Sequence, residues 1–393
     1  MLVSEAIAPK PQFKWVLLAA AILAALFTHL LAGSFRAAGL VVIGGLLGFA
    51  LYHASFGFTG AYRRAILDRD YGGVLPQLIM LAVATVLFAP ALADGMLFGN
   101  RVGGAVAPVS IAMATGAFIF GIGMQLGGGC ASGTLFIAGS GSVRMWIVLV
   151  FFCAGCFLAT LSMPWWRGLP SFGAVSFGKS LGFPTAVGLQ LAVLAAIYVI
   201  LRRTGKPIRR RQGPDLPISM EIFLRGPWPM LAGALALAGL NWATLAVKGF
   251  PWGVTWGFTI WGAKAAQMLG WNPDASAYWS VAWRRGALDA SILSDSTSIM
   301  NIALIIGALM AASLAGRAGS GAMNNMLRIK PFLAAILGGL MLGYGARLAY
   351  GCNIGAFFSG IASTSLHGWV WIIFALLGNA IGVRLRPFFG LAN

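Results

Sequence analysis

The chain has 393 residues, of which 59% are hydrophobic and only 9% charged, and its mean hydropathy is +0.85. That balance excludes a soluble globular domain. The formal net charge of +18 fits Lys and Arg gathered in the cytoplasmic loops of a membrane protein, and no nucleic-acid partner is expected from it.

Apolar windows long enough to cross about 30 Å of hydrocarbon lie near 15–33, 38–56, 74–93, 104–126, 144–163, 182–201, 229–247, 297–316, 331–349 and 368–385. They predict an all-α polytopic protein of nine or ten transmembrane helices set in a lipid bilayer. The N-terminal "MLVSEAIAPKPQFK" leads into a run of span length with no clear small-residue cleavage site behind it, so a retained helix is expected. Between the sixth and seventh windows, "RRTGKPIRRRQGPDLPISMEIFLRG" (202–226) is the longest polar segment. It is linker-sized, which leaves no room for a soluble catalytic domain, and the chain is not expected to be an enzyme. With ten spans, twice as many of the 27 Lys and Arg fall on the N-terminal side as on the other. Both termini are therefore expected in the cytoplasm.

Cys130, Cys153, Cys156 and Cys352 all fall in or beside apolar runs, where thiols usually act as small buried groups. "FFCAGC" has CxxC spacing but no basic neighbour and no second ligand pair, so packing is the reading for Cys153 and Cys156. The other two cysteines sit at glycine-rich interruptions. "GIGMQLGGGCASGTLF" (121–136) aligns with "GYGARLAYGCNIGAFF" (343–358) at an offset of 222, placing Gly129 over Gly351, Cys130 over Cys352 and Gln125 over Arg347. "FGFT" at 56–59 likewise recurs as "WGFT" at 256–259, an offset of 200. Two motif pairs in the same order divide the chain into repeats over 1–165 and 166–393, the second carrying the basic loop 202–226. About five spans per repeat, an odd number, invert the second relative to the first, a recurring transporter architecture with its site between the halves.

Hydrocarbon tolerates irregular backbone only where it is packed in protein or lines a wet cavity. The two breaks are therefore expected on the axis between the halves. Each should turn a helix and open a short re-entrant half-helix that returns toward the same face. The free N–H groups and positive dipole end of such a half-helix form an anion site without a permanent charge. A thiol at its mouth is polarised toward donating or ionising.

Other polar groups lie near these breaks. Asn353 follows Cys352, and Thr59 and Thr259 close the two FGFT-type segments. Arg347 is an ionisable group inside a span, a placement that usually faces a cavity. Lys264 follows "WGFTIWGA", and Arg63 and Arg64 follow "FGFTGAY"; these form basic vestibules for an anion, although ordinary span-end charge accounts equally well for Arg63 and Arg64. His29, His53 and His367 stand singly without metal-ligand spacing, which favours packing or hydrogen bonding. The nine Asp and Glu residues all fall outside the confident spans, which argues against a carboxylate proton relay or sodium site and agrees with an anionic substrate. No Walker loop, metal motif or nucleophile elbow is found, and no cofactor is expected.

The chain resembles the YeeE/YedE family of bacterial inner-membrane sulfur-compound transporters. The likeness runs over nearly its whole length, through "GFALYHASFGFTGAYRR", "GGGCASGTLF", "PWGVTWGFTIWGAKA" and "YGCNIGAFFSGIASTSLHGWVW". It implies an hourglass-like fold of two pseudo-symmetric halves and import of a small sulfur-containing anion, thiosulfate or a relative. It further implies that Cys130 and Cys352 line the path and pass the anion by transient thiol hydrogen bonds. In one departure, Gly57 stands where the family pattern places a cysteine, which leaves the identity of the anion open. Two other readings stand beside transport. One is a sulfur relay in which Cys130 or Cys352 carries a persulfide to a small cytoplasmic TusA-like carrier protein; the other is a purely structural membrane subunit.

Overall fold

A computed structural model describes residues 9–206, 219–319 and 328–393. Ten helices in it are long and apolar enough to cross a membrane, and each overlaps one of the ten predicted windows. The first are α1 (Phe13–Leu31) and α2 (Phe35–His53), followed by the short α3 (Phe58–Asp68) and by α4 (Leu75–Asp94). Then come α5 (Ile111–Gly127), the nine-residue α6 (Ala131–Gly139) and the 25-residue α7 (Val143–Arg167). After the short α8 (Phe177–Leu181) the chain forms α9 (Phe183–Thr204), α10 (Met220–Arg225) and α11 (Met230–Lys248). It continues through α12 (Thr255–Met268), α13 (Ala282–Asp289), α14 (Ser296–Leu314) and α15 (Ile329–Leu348). The four-residue α16 (Ser359–Ala362) and α17 (Leu366–Leu385) complete the set. This is an all-α, multi-pass membrane protein. Of the basic segment 202–226, residues 207–218 lie outside the described residues, as do the first eight residues of the N-terminal leader.

Two small antiparallel strand pairs sit between spans: β1 (Met96–Leu97) with β2 (Asn100–Arg101), and β3 (Pro108–Ser110) with β4 (Ser171–Ala174). The second pair explains why the fourth span starts later than its apolar window. Pro108 has no N–H for a helix interior, and the Ser110 side chain caps α5 by accepting from Met113 N at 3.1 Å. Gln12 N donates to Ser313 O at 2.8 Å and Lys206 N to Arg69 O at 3.1 Å. Arg225 Nη2 also donates to Pro9 O at 2.8 Å, and Met230, shortly after Arg225, lines a cavity with Arg64 of α3. The start of α1 and the ends of α3, α9 and α14 therefore share one face, called here the N-terminal face.

The most extensive helix contacts cross between the first and second parts of the chain. α2 packs along α14 while α11 packs along α4; α7 lies on α15 while α17 lies on α5; and α1 touches α14 while α9 touches α4. Each half thus completes the other's apolar surface, and the main core cluster draws on helices from both. In a bilayer such packing depends on close backbone approach more than on apolar burial. A Cβ on Gly116 would meet Gly345 O at 2.7 Å, and one on Gly345 would meet Gly116 O at 2.5 Å. Farther along, Gly123 faces Leu342 and Gly127 faces Gly338, so α5 and α15 run antiparallel and end at opposite depths.

Four spans are interrupted. Besides the two glycine breaks expected at 128–130 and 349–352, the helix after α2 breaks at 54–57 and that after α11 at 249–254. These further breaks are the FGFT-type segments, and their signals are Ser55 and Gly57 in one and Gly249, Pro251 and Gly253 in the other. The second is clamped from outside its own backbone. Asn241 Oδ1 accepts from Trp252 N at 2.7 Å, Ser359 Oγ donates to Trp252 O at 2.9 Å, and Asn301 Nδ2 donates to Val254 O at 2.9 Å. Each bond satisfies a backbone group that a broken helix would leave unpaired in hydrocarbon.

Candidate functional site

The first break begins where α5 ends at Gly128, which takes the left-handed φ of 89°. A helix terminus presents bare carbonyls carrying roughly half a negative charge. Here Arg144, from the first turn of α7, donates to Gly127 O at 2.8 Å and Leu126 O at 2.6 Å, and Arg386 donates to Gln125 O at 2.6 Å. Two guanidinium groups therefore cancel the end that would repel an anion. The chain turns through Gly129 and Cys130, and α6 starts. Cys130 is buried; its carbonyl accepts from Thr134 N at 2.8 Å and Thr134 Oγ1 at 2.9 Å, and its Sγ lies 3.5 Å from Ser132 Oγ. Because α7 starts beside the last carbonyls of α5, α6 leaves and finishes on the N-terminal side of the break, as a re-entrant half-helix does.

At the second break Tyr350 takes φ 60° where the first break has Gly128, and Gly351 takes φ 154°. A Cβ on Gly351 would stand 2.8 Å from Ala356 N, so the position needs glycine both for its backbone angle and for its space. Cys352 follows as an extended cap residue whose Sγ accepts from Ile354 N at 3.4 Å and whose carbonyl accepts from Ala356 N at 2.9 Å. The chain then makes a π-helical turn, Asn353–Phe358, before α16. Such wide turns are rare, and they concentrate at functional positions.

The two breaks meet. Cys130 and Cys352 lie within electrostatic range of each other, both fully buried. Asn353 Nδ2 donates to the Tyr62 hydroxyl at 3.5 Å, and Tyr62 is also in range of Cys130. Gln125 Nε2 donates to Thr59 O at 3.1 Å and to Asn379 Oδ1 at 2.7 Å, joining α5, α3 and α17. Around this junction Thr59 Oγ1, Gln125 Oε1 and Asn353 Oδ1 are buried with no hydrogen-bond partner among the described residues. Leaving such a group unpaired costs about 1–3 kcal/mol, which a bound polar ligand or water relieves. A cavity of about 340 Å³, lined by Gly57, Thr59, Arg64, Gly129, Cys130, Gly133 and Met230 among others, joins Cys130 to the N-terminal face, where Arg64 pairs with Asp70 at 3.3 Å.

On the other side of Cys352 stands α12. Thr259 Oγ1 donates to Thr255 O at 2.9 Å, and that same carbonyl lies 4.0 Å from Cys156 Sγ. Cys156 is fully buried, touches the Thr259 hydroxyl, and is in electrostatic range of both Cys352 and Arg347. Arg347 lies over the Trp256 ring at 5.7 Å, and its Nε is buried without a hydrogen-bond partner among the described residues. Beyond it, Arg284 stacks on Tyr278 at 4.1 Å and Trp283 at 4.9 Å, held by Tyr278 O at 2.9 Å. Among the described residues neither arginine is paired with a carboxylate; Asp274 and Asp289 both pair with Arg285 instead. This end is therefore cationic and aromatic.

Of the residues singled out by sequence, Cys130, Cys352, Asn353, Gly129, Gly351, Gln125 and Thr59 come together at the junction. Thr259 and Arg347 lie next to them beside Cys156. Lys264 is set apart: its Nζ donates to Leu288 O at 2.5 Å and Ala290 O at 2.7 Å, closing the end of α13. The three histidines also stand apart from the thiols; His367 Nδ1, for instance, is 2.7 Å from Ser365 Oγ. Two residues were not singled out by sequence. Tyr62 lay in view at the end of "FGFTGAY", one helical turn after the break. Cys156 looked like packing because its neighbours in space, Thr255, Thr259 and Cys352, are far away in the chain.

Residues 53–381 match the model of the family described as Sulphur transport. The chain is 26% identical over 365 residues to the thiosulfate transporter TsuA of Spirochaeta thermophila, covering 86% of this chain and 96% of that protein. It is 25% identical over 354 residues to the thiosulfate transporter TsuA of Escherichia coli, covering 86% and 91% of the two chains. A shorter likeness, 32% over 164 residues, relates 41% of this chain to 39% of the probable transporter YedE of Escherichia coli. With four-fifths of its length under the family model and paired cysteine breaks at its centre, the chain belongs to the Sulphur transport (YeeE/YedE) family of membrane transporters.

Proposed function

We propose that this protein imports a small sulfur-containing anion, thiosulfate or a related species, through the centre of its two repeats. The observation that carries the reading is the juxtaposition of Cys130 and Cys352 at two broken helices that expose amide ends. The names of the relatives point to the same anion class. Repeats over 1–165 and 166–393, inverted in the bacterial inner membrane with both termini cytoplasmic, account for the crossed helix pairings.

The chemistry is coherent with a soft dianion. A thiol S–H engages the terminal sulfur of thiosulfate weakly, and a series of weak contacts selects an ion without trapping it. A free lysine or arginine at the narrowest point would hold a dianion too firmly. Arg144 and Arg386, the cations nearest Cys130 on the α5 side, are instead turned onto helix carbonyls. The cationic end at Arg284 and Arg347 concentrates the anion before it meets the thiols.

Uptake of sulfur-labelled thiosulfate into vesicles containing only this protein tests the reading. Accumulation of intact thiosulfate supports transport. The relay alternative has a cysteine thiolate take the outer sulfur of thiosulfate, release sulfite, and pass the persulfide sulfur to a TusA-like carrier. It predicts no accumulation in vesicles that lack an acceptor, and sulfite release in its place.

A further inference from the structure

A second cavity lies away from the thiols. It is an open pocket of about 600 Å³ on the face opposite the N-terminal one, between the α1–α2 turn, the end of α11 and the start of α14. Its polar side chains are Arg36, Lys248, His29, Ser34, Ser294 and Ser296. Lys248 Nζ donates to Thr297 Oγ1 at 3.2 Å, and one Nη2 donor of Arg36 goes to Asn100 Oδ1. An ammonium and a guanidinium hold three and five donors, so both keep capacity for a ligand. The neighbouring carboxylate, Asp295, caps α14 by accepting from Ser298 N at 2.7 Å and lies within electrostatic range of Lys248. Arg36 and Lys248 outnumber it and leave the cavity net cationic. The first turns of α2 and α14 also open here, adding two positive helix ends to the basic side chains.

We propose that this cavity binds the phosphate-bearing headgroup of an anionic phospholipid. Position and shape favour a lipid over a free anion. The cavity sits at the membrane edge, because α1 rises about 28 Å over its 19 residues and His29 lies in its last turn. Leu30, Leu40 and Val247 supply an apolar wall, and α1 exposes Leu17, Leu18 and Ile22 along its length, a surface on which acyl chains can continue from the headgroup. The volume, about 600 Å³, is several times that of a small oxyanion and leaves room for a headgroup together with its glycerol backbone. Basic pockets between membrane helices recognise lipid headgroups by this combination. The inference stands apart from the thiol path and does not depend on the nature of the transported anion.

The full-length protein in mild detergent, titrated with defined lipids and observed by native mass spectrometry, provides the test. One phosphatidylglycerol per chain is expected to be retained, about tenfold or more in preference to phosphatidylcholine. Lys248→Gln combined with Arg36→Gln is expected to remove that preference, and Arg36→Gln alone, at an exposed position, to weaken it. Equal retention of the two lipids would overturn the proposal, as would an unchanged preference in the double variant. Displacement of phosphatidylglycerol by inorganic phosphate at millimolar level would reassign the cavity to a small free anion and likewise overturn it.

Discussion

Asn353 reaches across 3.5 Å to the hydroxyl of Tyr62 and so ties the second glycine break to α3 of the first half. The bond fixes a phenol within range of Cys130, and the oxygen of that amide, Asn353 Oδ1, remains unpaired among the described residues. Tyr62→Phe leaves the ring packing intact but removes the only acceptor described for Asn353 Nδ2. A buried donor left alone costs about 1–3 kcal/mol. The variant is expected to insert normally while its initial uptake rate falls about tenfold. Wild-type uptake in well-inserted Tyr62→Phe protein would remove the phenol from the path.

Cys130→Ala and Cys352→Ala are each expected to reduce uptake to background without loss of monodisperse protein in detergent. Alanine fits both sites sterically, so a packing role predicts little change in either measurement. Cys156→Ala is expected to fall between these variants and the wild type, since Cys156 extends the thiol series toward Arg347 from within α7. If a triple variant still takes up thiosulfate, thiols play no part in conduction.

Arg347→Gln separates binding from structure. Its guanidinium lies over Trp256 and pairs with no carboxylate among the described residues, which leaves its charge for the anion under the proposed function. Hydrogen bonds to a charged group are worth about 1.5–3 kcal/mol, and the half-saturating concentration is expected to rise about tenfold with a smaller change in maximal rate. A transport curve identical to the wild type would place Arg347 outside the ion route.

Two glycines make opposite predictions. Gly351→Ala drives a Cβ to 2.8 Å from Ala356 N at a φ of 154°. Strain of that kind costs about 1–3 kcal/mol, and the protein is expected to melt several degrees lower and to lose uptake. Gly57 has nothing within 4 Å of a built Cβ and an ordinary φ of −135°. Gly57→Cys is therefore expected to fold normally and to react with thiol reagents supplied from the N-terminal face, because Gly57 lines the cavity that reaches Cys130. If the introduced thiol stays unreactive in the folded variant, the cavity is closed to solvent and does not serve as an exit toward the N-terminal face.

Much of this architecture is legible in the residue order, because a bilayer leaves few choices. A run of apolar residues about 30 Å long must be a spanning helix, and all ten windows are helices. Glycine alone does not break such a run, since α2 stays helical through Gly44, Gly45 and Gly48 and α15 through Gly338 and Gly339. The glycine segments that also carry a cysteine do break, at Cys130 and Cys352. The fourth window misplaced its start because Pro108 and Ser110 act through strand pairing and capping, local effects that hydropathy does not register. What only the tertiary structure decided is which polar groups share one place. Lys264 and Arg347 are both basic residues beside break motifs, yet one is spent on the carbonyls of residues 288 and 290 while the other faces Trp256 with an unpaired Nε. Cys156 and Tyr62 join the junction through contacts to residues between 99 and 291 positions away. Hydropathy and glycine spacing act along the chain, whereas the meeting of α3, α7, α12 and the second break is set by helices of one half packing against those of the other.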